Sequence, residues 1–129
     1  MILKPFCSTD IRFINSEEFI NIVNSFNKTN VVLIMSRSSA YRWNFIPLIE
    51  QLKKKSERLN GSLTWIDEIN GNPTQKDLIK ALQLIGKKRI ELIIACGGGS
   101  CIDLAKAVSA FHDSTKNTNY TIEQITNLI

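Results

Sequence analysis

The chain has 129 residues, 43% hydrophobic and 22% charged, with a formal net charge of +4. That length suits one compact domain with a buried core, and the composition is ordinary for a globular protein rather than a disordered one. No apolar run approaches the roughly 20 residues that span a bilayer, and the charge is too small to argue by itself for a nucleic-acid partner.

In chain order, Met1 to Phe6 holds one lysine and only a short apolar patch, which does not make a signal peptide. No membrane partner and a cytoplasmic location are therefore expected. Asp10 to Ile14 reads as a short strand, and Ser16 then caps a helix to about Phe26 with Phe19, Ile20 and Val23 on one face. Val31 to Met35 is a continuous apolar run, as in a strand buried on both faces. One long helix is predicted from Ser39 to Arg58, kinked or broken near Pro47, where a backbone donor is missing. Its Lys53, Lys54, Lys55 and Arg58 oppose Ile46, Ile49 and Leu52. They read as a solvated face, with no interleaved aromatics to stack nucleic-acid bases.

Asn60-Gly61 ends that helix, and Leu63 to Ile69 is the next predicted strand. Asn70-Gly71-Asn72-Pro73 is a turn, and Thr74 with Asp77 resembles a capping box. The helix it opens carries Leu78, Ala81, Leu82 and Ile85 and stops at Gly86. Ile90 to Ala95 is another buried strand, followed by glycines and a helix from Ser100 to about Phe111. Asp113 to Asn119 is loop-like, and Thr121 opens a short helix with Ile122, Ile125, Leu128 and Ile129 at helical spacing. Because the chain stops within that apolar stripe, the stripe is expected to meet another domain, a partner, or a point of truncation. Repeated βα units of this length give an α/β fold, a parallel sheet with helices on both faces. Ligands of such sheets lie at the carboxyl ends of the strands, here Ser36 to Ser39, Asn70 to Thr74 and Cys96 to Ser100.

The strongest local signal is Ile93-Ile94-Ala95-Cys96-Gly97-Gly98-Gly99-Ser100, running into a helix. Glycines let the backbone approach a ligand, and a helix N-terminus offers unpaired N–H groups and a positive dipole end. Together they suit a phosphate. A G-x-G-x-x-G fingerprint fails at Ile102, and a Walker loop fails for want of Gly-Lys-Ser/Thr. Asp103 and Lys106 are helix neighbours, compatible with a surface ion pair. Cys7, Cys96 and Cys101 are odd in number and lack C-x-x-C spacing, and His112 is the only histidine. Disulfide, histidine-metal and Ser-His-Asp chemistry are not expected within these residues. Cys101 stands at a helix start, which lowers a thiol pKa, though a passive small side chain is the preferred reading. Cys96 is assigned to core packing and His112 to the surface at a helix end.

The segment Gly97-Gly98-Gly99-Ser100-x-x-Asp103-x-x-Lys106-Ala107 resembles the GGGS-x-x-D-x-x-K-A segment of the iron-containing alcohol dehydrogenases. Asn72-Pro73-Thr74, after Asp67-Glu68, resembles that family's N-P-T segment, and Val31 to Ser36 its second nucleotide-binding strand. The resemblance runs from Asp10 to about Phe111. It implies a Rossmann-like N-terminal domain, residues 1–112, binding NAD(P) for hydride transfer between an aldehyde or ketone and an alcohol. Gly97, Gly98, Gly99 and Ser100 would hold the pyrophosphate, Asn72 would lie along the cofactor, Asp103 would lie near its ribose, and Lys106 would support the turn. The family's downstream cofactor loop and its helical domain, with an Asp and three His for Fe2+ or Zn2+, have no counterpart here. Residues 113–129 are accordingly expected to precede that domain, and these residues alone are expected to reduce no aldehyde.

The family strand usually ends in Thr-Asp, whose carboxylate binds the adenine ribose; here Ser36-Arg37 is followed by Ser38 and Ser39. Guanidinium pairs with a 2′-phosphate where carboxylate repels it, so Ser36, Arg37 and Ser38 predict NADP in preference to NAD. The Arg-Ser-Ser loop with Asp67-Glu68 also resembles the phosphonoacetaldehyde reductase branch. Expected partners are the dinucleotide, a small aldehyde or alcohol, and a second copy in a homodimer. The alternative is a non-catalytic nucleotide-binding or interaction module.

Overall fold

Val31 to Met35 lies at the centre of the molecule, 0–2% exposed throughout. The computed structural model describes residues 10–13, 17, 20, 21 and 30–115. Their four strands are β1 (Asp10–Phe13), β2 (Asn30–Ile34), β3 (Ser62–Ile66) and β4 (Leu92–Ala95), all parallel and in the order β1-β4-β2-β3. Val31 pairs with Leu63 on one side and Leu92 on the other, so β2 has no free edge.

Period-two alternation divides the apolar run between two cores. Val31, Leu33 and Met35 join Leu92, Ile94 and Cys96 beneath Ala40, Phe45, Ile49 and Leu52. Val32 and Ile34 join Ile66, Ile93 and Ala95 beneath Leu78, Leu82, Leu104 and Val108. The first covering set belongs to α1 (Arg37–Arg42) and α2 (Ile46–Arg58), with Phe45 as the residue capping α2, and the second to α3 (Gln75–Ile85) and α4 (Gly99–Thr115). This is the expected Rossmann-like α/β sheet, helices on both faces in a single domain. As expected, Lys53, Lys54 and Arg58 are exposed opposite buried Ile49 and Leu52.

Of the kink or break expected near Pro47 in the Ser39 to Arg58 helix, the structure has the break, which leaves two helices. Pro47 lies in the first turn of α2, where its missing N–H costs nothing. Inside a continuous helix its ring would press on the carbonyl four residues earlier, at Trp43. The chain turns instead through Asn44 at φ 56, a conformation that asparagine tolerates. The strand expected to Ile69 ends at Ile66, where its neighbour ends too, Ile34 being opposite Ile66. Likewise β4 begins at Leu92 rather than Ile90, and α4 runs to Thr115 rather than Phe111. His112 is therefore in the last turn of the helix, at the helix end expected, but half-buried rather than fully at the surface. Of the helix expected from Ser16 to Phe26, Glu17, Ile20 and Asn21 are helical and the rest lies outside the described residues, as does the C-terminal segment from 116.

The capping box at α3 is formed. Thr74 Oγ1 accepts from the Asp77 amide at 3.3 Å, and Asp77 Oδ2 accepts from the Thr74 amide at 2.7 Å. Thr74→Ala should lower stability by about 1 kcal/mol, measured by urea denaturation at neutral pH. The Asp77 carboxyl is held below its ordinary value, first by the Thr74 amide. A lowered folded-state pKa means that its stabilisation is complete above the unfolded value and fades as pH falls through the folded one. The stability lost in Asp77→Ala should therefore shrink in acid, whereas the Thr74→Ala deficit, which is mainly loss of the acceptor for the Asp77 amide, should largely remain; an Asp77→Ala deficit that persists after Asp77 is protonated in the wild type would contradict this account.

Candidate functional site

Because every described strand is parallel, the ends of β2, β3 and β4 open on one edge. The chain leaves β2 for β3 on one side and returns to β4 on the other, so β2 and β4 flank the point where the connections diverge, the usual place for a ligand in such sheets. Cys96 continues the ladder by donating to the Ile34 carbonyl at 2.9 Å. Gly97 then turns the chain at φ 146.

The three glycines differ in what they are for. A Cβ on Gly97 would lie 2.7 Å from Cys101 Sγ, whereas one on Gly98 or Gly99 would meet nothing within 4 Å. Internal packing therefore requires Gly97 but not its two neighbours, which face open space where a ligand's phosphate would fit. The Cys101 and Ile102 amides both donate to the Gly98 carbonyl, at 3.1 and 3.4 Å. The Gly99 and Ser100 amides come before those bonds, at the N-terminus of a 17-residue helix, where N–H groups lack intrahelical partners and the dipole is positive. The arrangement is suited to holding an anion.

Ser100 has a second connection. Its Oγ donates to the Gly71 carbonyl at 2.7 Å, tying the Asn70 to Thr74 loop to the glycine turn and placing exposed Asn72 beside it. The far side of that loop is held by Asn70 Nδ2 donating to Asp77 Oδ1 at 2.7 Å. Asp103 is exposed one turn into α4 and Lys106 is half-buried further along. The Ser36 amide faces the Cys101 sulfur and favours its thiolate, but burial outweighs this and pushes the thiol pKa up. Burial likewise pushes Cys96 up to about 12. Both cysteines are packing residues, with no activated thiolate at the turn.

At the end of β2, Ser36 caps α1, accepting from the Ser39 amide at 3.1 Å and donating to Ser39 Oγ at 2.7 Å, with Ser38 Oγ at 3.4 Å. Arg37 reaches across to β3. Its Nε and Nη2 donate to Asp67 Oδ2 at 2.9 and 2.5 Å, and its guanidinium lies 4.6 Å from the centre of the Trp65 ring. Trp65 is itself fixed by donating from Nε1 to the Met35 carbonyl at 2.9 Å. Glu68 is paired separately, with Lys80 at 2.5 Å. The structure sets Ser36 beside Cys101 and ties the loop that carries Asn72 to Ser100, while Arg37 turns to two further residues, Trp65 and Asp67. No local pattern marks those two as partners of a residue 28 to 30 positions away. Among the described residues no three His, Cys, Asp or Glu side chains are grouped to hold a metal ion, and no helix is long and apolar enough to cross a membrane.

Comparison with known proteins agrees with this geometry. Among curated proteins none matches. Solved structures that resemble the chain include two with a TM-score of 0.57 each. One is an iron-containing alcohol dehydrogenase, 24% identical over 96% of this chain and 33% of its own. The other is an iron-containing alcohol dehydrogenase from Thermotoga maritima, 25% identical over 95% of this chain and 33% of its own. The chain therefore spans about a third of the length of either structure. The family model for iron-containing alcohol dehydrogenases matches residues 11–128. The chain belongs to the iron-containing alcohol dehydrogenase family.

Proposed function

We propose that this chain is the dinucleotide-binding part of an alcohol dehydrogenase that transfers hydride between NAD(P)H and an aldehyde or ketone. The observation that carries the reading is the glycine turn. Gly98 and Gly99 open onto free space at the N-terminus of α4, at the strand ends where the connections diverge. The Gly98, Gly99 and Ser100 backbone would hold the pyrophosphate. Ser100 has a further part, since its hydroxyl proton goes to Gly71 and so keeps Asn72 beside the cofactor. Asp103, exposed on α4, would face the ribose. The family's Fe2+ or Zn2+ would polarise the substrate carbonyl when bound. The described residues group no set of ligands for a metal, so the reading assigns those ligands elsewhere in the protein, and aldehyde reduction to the protein that contains them.

For the cofactor, the reading favours NADP. Arg37 stands at the end of the strand next to the glycine turn, and its side chain as a whole is 56% exposed. Calorimetric titration of the chain should give tighter binding of NADP+ than of NAD+. Arg37→Ala should weaken NADP+ by about tenfold, as expected for loss of a charge-assisted contact to phosphate, with NAD+ little changed. Equal affinities in the wild-type chain would sink the NADP preference, and no binding of either would sink the cofactor site itself.

A further inference from the structure

We propose that Asp67 limits the preference for NADP over NAD by competing with the cofactor's 2′-phosphate for the Arg37 guanidinium. This rests on the reading of Arg37 given above and concerns how selective the same site can be. A guanidinium grips phosphate best through two parallel N–H donors. In this structure Nε and Nη2, the pair on one edge of the fork, both point to Asp67 Oδ2. The guanidinium face over Trp65 is covered as well. An incoming 2′-phosphate must therefore displace the carboxylate or bind where the guanidinium is left to it, beside its further hydrogen bond with the Tyr41 side chain.

The local charge balance points the same way. Arg37 is matched by Asp67, and Lys80 by Glu68, on side chains around one loop. These four residues together carry no net charge, so a nearly dianionic 2′-phosphate meets no surplus of positive charge from them. The Arg37–Asp67 pair is exposed enough to open, with side chains 56% and 28% accessible. Pairs of that kind contribute only a few-fold to an equilibrium. Asp67 thus moderates the preference without abolishing it. Acting through Arg37, it is a positioning residue.

The test is calorimetric titration of the full 129-residue chain with NADP+ and NAD+, comparing wild type with Asp67→Asn, Asp67→Ser, Arg37→Ala and Arg37→Ala/Asp67→Asn. Both Asp67 variants should raise the ratio of NADP+ to NAD+ affinity by about fivefold to tenfold, the scale of an exposed ion pair plus relief of charge repulsion. In the Arg37→Ala background the same change should raise the ratio clearly less than it does with Arg37 present, because no guanidinium remains to be released and only the charge repulsion is relieved. A purely structural role for Asp67 would move both affinities together and leave the ratio alone. If Arg37→Ala lowers the ratio but neither Asp67 variant raises it, this inference is overturned and the NADP reading stands. If Arg37→Ala leaves the ratio unchanged, or wild type binds neither cofactor, both are overturned.

Discussion

Gly97→Ala should destabilise the chain by about 2–4 kcal/mol and lower its melting temperature by about 10 °C, whether or not cofactor is present. Two independent costs add. At φ 146 the backbone lies where a residue with a side chain is strained, and strain of that kind costs about 1–3 kcal/mol. The new methyl carbon would also stand 2.7 Å from Cys101 Sγ. That sulfur has little room to retreat, since Cys101 is 5% exposed and packed into the core with Leu104 and Ala105.

The two costs can be separated. Cys101→Ala removes the sulfur and leaves Cβ 3.5 Å from the new atom, an ordinary contact. The double variant should therefore be more stable than the sum of the two single effects predicts, by about 1 kcal/mol or more. It should still fall short of Cys101→Ala alone, because the backbone strain remains. Thermal melts of the four proteins decide it. A Gly97→Ala chain that melts with the wild type would show that the turn does not need its glycine.

Gly98→Asp should do the opposite, leaving the fold intact and removing cofactor binding. A Cβ at Gly98 meets nothing within 4 Å, and its φ is outside the region reserved for glycine. Exposed substitutions of this kind change stability by about 0.5 kcal/mol or less, so the melting temperature should stay within about 2 °C. The carboxylate, however, would occupy the positive end of α4 and repel a pyrophosphate. Each charge-assisted hydrogen bond lost there is worth about 1.5–3 kcal/mol, so NADP+ and NAD+ should both weaken by more than about tenfold. Unlike the Arg37 and Asp67 variants, this one should not change their ratio. A Gly98→Asp chain that binds either cofactor as tightly as wild type would mean that the phosphates lie elsewhere.

Neighbouring glycines with opposite expected phenotypes mark the boundary between local and tertiary information. The run Gly97-Gly98-Gly99-Ser100 is visible in sequence as a phosphate turn because its parts are adjacent: strand, glycines and helix N-terminus follow one another. Which glycine serves the fold and which serves the ligand is not visible. It depends on Cys101 folding back under Gly97 and on the open space over Gly98.

Contacts of short range were legible throughout. The alternating cores of β2 follow from its apolar run, and the Thr74–Asp77 cap lies within three residues, so each is fixed by backbone periodicity and nearby side-chain chemistry. Local departures have local causes too: the break expected near Pro47 falls just before it, so that Pro47 opens α2, and β3 ends at Ile66, opposite the last residue of β2. What the sequence could not supply was the strand order β1-β4-β2-β3 and the contacts it creates. Arg37 on Asp67 and Ser100 on Gly71 join residues 30 and 29 positions apart. Such pairs carry no periodic signature of their own. They exist because parallel pairing aligns the ends of β2, β3 and β4 at one edge, where loops distant in sequence become neighbours.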